Sequence, residues 1–580
     1  MIVEGTQAGD TDRQVQWGLA MRRQGIETIR CGRSSLYCWE MQMTRAGRCR
    51  SSCSALLLVC VLLTVVCRAA AAQIEVADNS QRFDVVLQQG LIHRGDGSPG
   101  TPGTVAVRQG KLTLLRADAV VEADQTIDCR GLVIAPGFID LHTHSDEPLL
   151  DRNTRASVNY LMQGCTTMVT GNCGFGPVDT GGFLQQIDQS GAGTNVAHLI
   201  PHGSLRSEVM GKVNRAATAE ELQRMLQLAD KAMQDGAWGM STGLIYIPGT
   251  FTPTSELTSI AGVVARHAGI YASHIRGEGT ELLQSIEEAL QIGQGAGCRV
   301  HVSHFKASGR PSWGTLRLAI SRIEKARAEG QQVTADQYPY TASSTSLEAT
   351  LLPAWAREGG REALAQRLQD PGQAQRIRGE VQHKLETATR IQLASCNHNR
   401  SWIGKSLDEV AQAEGREVCD IVLEIERNGG ASVVNFNMSE EDLRLAMPRD
   451  WVATASDGGS KIPTGSQPHP RSFGTFPRKI GRYAIAENVL SLEAAIRSAT
   501  GLPADILGIS DRGRLLDGLA ADVVVFSPEE FRDRADFDNP YQAPAGLRYV
   551  LVNGVFAVFD GQPTGALAGR ALRKVAVPAK

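Results

Sequence analysis

The chain has 580 residues, enough for a large core and more than one domain. Its 59 basic and 62 acidic residues nearly cancel, leaving a net charge of -3. That balance gives no electrostatic footprint for nucleic acid, and none is expected as a partner.

Residues 44–72 carry a basic start, an apolar run from Ala55 to Cys67 and a small-residue exit through Ala70, Ala71 and Ala72. This pattern predicts a signal peptide, with export to a bacterial periplasm. The apolar run is short against the roughly 20 residues a membrane span needs. An uncleaved N-terminal anchor is the alternative. A lipoprotein is disfavoured, because Val66 stands before Cys67 where a small residue is needed. Residues 1–43 read as lying outside the native product, with Met41 or Met43 as natural starts. Six cysteines lie before residue 68, and the later six have neither close metal-binding spacing nor the density of a disulfide scaffold.

Short strands are predicted at Phe83–Leu87, Val105–Val107, Ala119–Val121 and Thr126–Asp128, separated by turns such as Gly95–Gly100. The apolar run Leu132–Ile139 then enters the sequence Gly137 to Asp146, which contains His142 and His144. On a strand, a period of two places both imidazoles on one face. A helix is predicted at Thr154–Met162, then a β-branched strand at Cys165–Thr170 that ends in Gly171-Asn172-Cys173-Gly174. Thr218 and Glu221 form a capping box before a helical stripe of Leu222, Met225, Leu226, Ala229 and Met233. Strands follow at Val196–Ile200, Gly269–His274, Val300–His304, Val333–Asp336 and Val452–Ser456, with a helix over 280–292. This alternation, with polar residues at strand ends, predicts an α/β fold, a TIM-like (β/α)8 barrel. A Rossmann-like sheet is the runner-up, and the lack of a Gly-rich dinucleotide loop weighs against it.

Residues 350–450 are too long for a simple connection and read as an inserted lid or subdomain. After a helix at Ser491–Ala499, β character returns at Ala521–Phe526, Tyr549–Gly554 and Val555–Phe559. Residues 73–134 with 510–580 are therefore expected to form one small β-sandwich domain from both ends of the mature chain, flanking a barrel over 135–509.

Zinc takes imidazole, thiolate and carboxylate ligands and needs an open position to catalyse. His142, His144 and Asp457 can form one site, and Cys173, His274 and His304 a second. An aspartate such as Asp457, at a strand end beside a metal, can take a proton from attacking water. Lys306 and Arg471 can bind a carboxylate, and Tyr246 and Tyr338 can line the pocket. Each residue also has a plainer reading. The histidine pair can be ordinary strand residues, Cys173 a buried inert thiol, Asp457 a turn cap, and Lys306 and Arg471 solvated surface cations. His301, three residues before His304, reads as a packed or surface histidine.

Taken together, APGFIDLHTHSD (135–146), TGNCGFG (170–176), HGSLR (202–206), GAWGMSTGLIYIPG (236–249), SHIRGEG (273–279), VSHFKASG (302–309), DQYPYTASST (336–345), ASDGG (455–459), HPR (469–471), RGRLLDGLAADVVVFSP (512–528) and VNG (552–554) resemble the N-acyl-D-amino-acid deacylase, or D-aminoacylase, family of the amidohydrolase superfamily. The resemblance runs over roughly residues 80 to 575. It implies a metal-dependent hydrolase barrel with one or two zinc ions. His142, His144 and Asp457 would form one site, and Cys173, His274 and His304 the tighter one. Asp457 would be the general base and later the acid to the leaving amine, and Lys306, Tyr338 and Arg471 would be substrate-carboxylate or pocket residues. Tyr246 would help orient the scissile carbonyl. The implied substrate is a small N-acylated D-amino acid, cut to a carboxylate and a free D-amino acid. A related D-dipeptide or cyclic-amide hydrolase is the alternative, and a non-catalytic exported binding protein a more remote one.

Overall fold

Eight parallel strands close into a barrel in the computed structural model, which describes residues 82–575. They are Phe138–Asp140, Cys165–Thr170, Asn195–His198 continued by Ile200–Pro201, Gly239–Gly243, Ile270–His274, Arg299–Val302, Val333–Gln337 and Val452–Thr454. Each pairs in parallel with its neighbours in chain order. The last strand returns to the first through a bridge between Thr143 and Gly458. There the His144 N–H donates to the Gly458 carbonyl at 2.7 Å, and the Asp457 N–H to the His142 carbonyl at 2.9 Å. The seam that closes the barrel thus runs through three of the candidate ligands.

The strands are almost wholly buried, on both faces, because helices cover the outside. Helices Ala219–Gln234, Thr254–Arg266, Leu282–Ala296 and Leu316–Ala328 turn Met225, Ile260, Ile286 and Ile323 onto Met240, Tyr271 and Val300. The first of these starts in the capping box read from sequence: the Glu221 N–H donates to Thr218 Oγ1 and the Thr218 N–H to Glu221 Oε2. A cap of this kind is worth about 1 kcal/mol.

The described segments before and after the barrel build one sheet. From edge to edge it runs Gln562–Pro563, Val555–Phe559, Leu547–Val552, Val523–Phe526, Val133–Pro136, Phe83–Ile92, Thr101–Arg108 and Lys111–Leu115, with Ala123–Asp128 also paired to Phe83–Ile92. Between the seventh and eighth barrel strands, residues 343–446 carry a three-stranded antiparallel sheet of Ser343–Ser346, Ala431–Asn435 and Ile391–Cys396. Helices pack on it around a separate core that includes Leu364, Ile377, Leu393, Val410, Ile421 and Val433.

Three local expectations are corrected. The run Leu132–Ile139 is two strands in two sheets: Val133–Pro136 belongs to the terminal sheet and Phe138–Asp140 to the barrel. Gly137 makes the step, and a Cβ there would lie 2.2 Å from Thr166 Oγ1. A fully buried strand has no alternation, so the run carried no mark of the break. The helix expected over Thr154–Met162 is a single turn, Val158–Leu161. Asp151 captures the Asn153 N–H at 2.9 Å and holds the preceding residues in turns. Ala119–Val121 is not a strand, and Val120 is exposed.

No helix among the described residues is long and apolar enough to cross a membrane. The expected signal peptide and start site lie outside the described residues. The six described cysteines are free and buried.

Candidate metal centre

The donors meet at the C-terminal ends of the barrel strands, where a (β/α)8 barrel places its chemistry. Past Asp140 the chain bends at Leu141, and Thr143 binds the Val169 carbonyl through its N–H at 3.1 Å and its hydroxyl at 2.9 Å. Thr143 therefore points into the wall, and His142 and His144 share the opposite side with ring centroids 5.4 Å apart. Cys173 sits in a tight turn at φ +51°, between Gly171 at +75° and Gly174 at +77°. A side chain at residue 171 would meet the Leu199 carbonyl at 2.0 Å, so the turn requires glycine there. His304 at φ +36° and Asp457 at φ +50° are also held in the left-handed region. Such backbone strain is typical of functional sites.

The thiol is the hub of the cluster. Cys173 Sγ lies 3.2 Å from His142 Nε2, 3.6 Å from His274 Nδ1 and 3.7 Å from His304 Nε2. The last two nitrogens are 2.7 Å apart. Asp457 Oδ1 is 2.9 Å from His144 Nε2 and 3.4 Å from His142 Nε2. His142, Cys173, His304 and Asp457 offer ligand atoms all within 4.8 Å of one another. His142 reaches the thiol as well as the aspartate, so the expected triads form one continuous basin, able to hold one or two metal ions.

The charges fit a cation. Burial opposes ionisation of Cys173, but His142, His144 and His274 hold its pKa well below the usual thiol value. Burial likewise opposes ionisation of Asp457, and Arg471, His142 and His304 hold its pKa well below the carboxylate range. His142 is pushed down by burial, yet Cys173, Asp457 and Asp336 hold it well above the imidazole range. The basin thus concentrates a thiolate and carboxylates that call for positive charge, and its soft-and-borderline donor set is the one zinc takes.

Two carboxylates escaped the sequence reading. Asp336 is buried at the end of the seventh strand and binds His301 Nε2 at 2.8 Å, His142 Nδ1 at 3.4 Å and the His304 N–H at 2.8 Å. It fixes which nitrogen of His142 faces the basin, as carboxylates behind metal-binding histidines do. His301 accordingly points inward beneath the site and is 3% exposed. Glu278 lies 2.9 Å from His304 Nδ1 and 2.5 Å from Lys306 Nζ. A carboxylate four residues after His274 was the available signal for it. Asp336 had the weaker one of standing at a strand end.

Lys306 is buried, with Nζ also 2.8 Å from His304 Nδ1. Arg471 starts the helix Arg471–Pro477 and is 5% exposed. Its NH1 lies 2.8 Å from Asp457 Oδ2, its NH2 donates to the Ser344 carbonyl at 3.1 Å, and its guanidinium sits 4.8 Å over the Tyr338 ring. Tyr338 is buried with its hydroxyl on Met438 Sδ. Tyr246 packs its ring on His274 at 5.1 Å and meets Thr345 Oγ1 at 2.9 Å. All ten predicted site residues therefore lie around one mouth. Two cavities open from it, of about 440 and 180 Å³, and Tyr246, Ser344, Thr345 and Asp457 line both.

The model of the Amidohydrolase family matches residues 125–558. A D-aminoacylase of Alcaligenes xylosoxydans xylosoxydans is 34% identical over 521 residues, 86% of this chain and 99% of the relative. A crystal structure of D-aminoacylase superposes with a TM-score of 0.74 at 32% identity, covering 85% of this chain and all of that one. An N-acyl-D-glutamate deacylase from Bordetella bronchiseptica, complexed with zinc and a phosphonate mimic of the tetrahedral intermediate, also gives 0.74. It is 31% identical, over 85% of this chain and 100% of its own.

Proposed function

The chain belongs to the amidohydrolase family, and from that membership we propose that it is a zinc-dependent N-acyl-D-amino-acid deacylase, which hydrolyses the amide and releases a carboxylate and a free D-amino acid. The observation that carries the reading is Arg471, buried and 2.8 Å from Asp457. It sets a fork for binding a substrate carboxylate directly beside the metal donors. The D configuration follows the deacylases that share about a third of this sequence.

His142, His144, Cys173, His274, His304 and Asp457 would hold the zinc, as one or two ions. When bound, it lowers the pKa of water and polarises the scissile carbonyl. Asp457, kept ionised next to Arg471, takes the proton of the attacking water and returns it to the leaving amine. Arg471 and Lys306 bind the α-carboxylate, over Tyr338. The hydroxyl of Tyr246 orients the scissile carbonyl. Asp336 and Glu278 keep His142 and His304 turned toward the basin.

Of the expected β domain, 73–134 with 510–580, the described part, 82–134 with 510–575, would support the barrel, and the insertion at 350–450 would serve as a lid. The lid is supported by Arg357 and Arg361, which line the larger cavity. Export to the bacterial periplasm rests on the pattern at residues 44–72.

The test is amine release from paired N-acetyl-D- and N-acetyl-L-amino acids (methionine, leucine, phenylalanine, glutamate and aspartate), with zinc content measured on the same sample. Turnover of D substrates alone is expected. No turnover by zinc-loaded protein would remove the reading.

A further inference from the structure

The larger cavity has a second wall that amide hydrolysis does not require. Besides His144, Cys173 and Asp457, it is lined by Lys212, Glu348, Arg357, Gly360 and Arg361. Lys212 comes from the barrel, just after helix His202–Met210, and the others from the insertion. The Gly359 N–H donates to the Lys212 carbonyl at 2.9 Å and ties the two together.

Three cations here face one lining carboxylate. Arg357 is 7% exposed; among the described residues its one hydrogen bond is from NH1 to the Ile245 carbonyl at 3.1 Å, and its buried Nε has no partner there. Arg361 reaches Glu348 at 3.4 Å and Glu426 at 3.5 Å, both long for charge-assisted pairs. Glu426 does not neutralise them. It is buried, and burial with Glu348 beside it pushes its pKa up to about 8, so it keeps its proton at neutral pH. Helix Arg361–Gln369 also begins at this wall, from Gly360, with no side-chain cap on its first N–H groups. Those donors and the helix dipole favour an anion.

We propose that the wall of Lys212, Arg357, Arg361 and the helix start at Gly360 is a subsite for a second carboxylate of the substrate, carried by the acyl group or by the amino-acid side chain. The inference rests on the deacylase reading for the position of the rest of the substrate. A buried guanidinium lacking a full partner gains most from such a group, because most of its desolvation is already in place in the free protein.

The test compares kcat/KM of the zinc-loaded full chain on N-acetyl-D-leucine, N-acetyl-D-glutamate and N-succinyl-D-leucine. One of the two acidic substrates should exceed the neutral one by about tenfold. Which one it is places the carboxylate on the side chain or on the acyl group. Arg361→Gln and Lys212→Gln should each lower that acidic-to-neutral ratio severalfold. Arg357 is left intact, since removing a buried side chain endangers the fold. Equal rates on all three substrates, or a ratio unmoved by both variants, would overturn the subsite. Turnover of none of them would sink the deacylase reading instead. The subsite is then decided by thermal stabilisation with glutarate against acetate at equal ionic strength. A glutarate-specific rise in Tm that both variants lose supports it, and its absence overturns it.

Discussion

Replacing Asp457 by asparagine separates the proton-handling role proposed for it from its place in the cluster. One carboxylate oxygen faces His144 Nε2 at 2.9 Å and His142 Nε2 at 3.4 Å, and the other faces Arg471 at 2.8 Å. Asparagine keeps the shape and one acceptor, but it cannot take a proton. Its amide must also point at a histidine nitrogen or at the guanidinium. Cys173, His274 and His304, with nitrogens and sulfur 2.7 to 3.7 Å apart, do not depend on residue 457. Zinc held by those three, as proposed, should survive the change. Loss of a positioned general base costs about 10²- to 10⁴-fold in rate. The expected result is a kcat reduced by that factor, with KM within a few-fold and zinc still bound by atomic absorption. A kcat near that of the wild type would refute the assigned role. Complete loss of zinc would refute the claim that the thiolate and two histidines hold the metal without it.

Arg471→Lys keeps the charge but removes the fork that also reaches the Ser344 carbonyl, and should raise KM roughly tenfold while kcat changes less; initial-rate kinetics would show it, and an unchanged KM would exclude carboxylate binding there. Cys173→Ser removes the thiolate that touches three histidines, so zinc content after dialysis should fall to background while circular dichroism stays native; retained zinc would contradict the hub role. Lys479 is 1% exposed, its Nζ has no hydrogen-bond partner among the described residues, and burial pushes its pKa down from 10.5 to about 7. Between those values the unfolded chain holds a proton that the fold does not, so this group makes stability rise with pH across the window and lowers it as pH falls toward 7. Lys479→Met should abolish that slope and raise stability at pH 7 by on the order of a few kcal/mol, read from denaturant melts at several pH values; an unchanged slope would show the ammonium to be solvated.

Local patterns were legible in proportion to how local their causes are. The capping box at Thr218 and Glu221, the strand ends at Cys173 and His274, and the β runs at both chain ends were all visible in sequence. Each depends on residues within one or two turns of one another. The break at Gly137 was not, because both flanking strands are buried on both faces and read as one apolar run. Asp336 and Glu278 were passed over because their roles lie in what they face, His142 and His304, and a lone carboxylate carries no sign of its partner. The same holds for Arg357 and Arg361, which look like ordinary charged residues of two insertion helices until the cavity wall is seen.

The sequence by itself determined which chemistry is available: two histidines one residue apart, a cysteine trapped between glycines, two further strand-end histidines, an aspartate before Gly-Gly and an arginine after His-Pro. It also determined the alternating strands and helices that make a barrel. Only the tertiary structure decided which donors meet. His144 and Asp457 are 313 residues apart and touch because the eighth strand closes on the first. Closure is a long-range event, fixed by the sum of all strand pairings and the helices packed outside them. For the same reason the thiol lies between His142 and the other two histidines, and the expected pair of triads became a single basin.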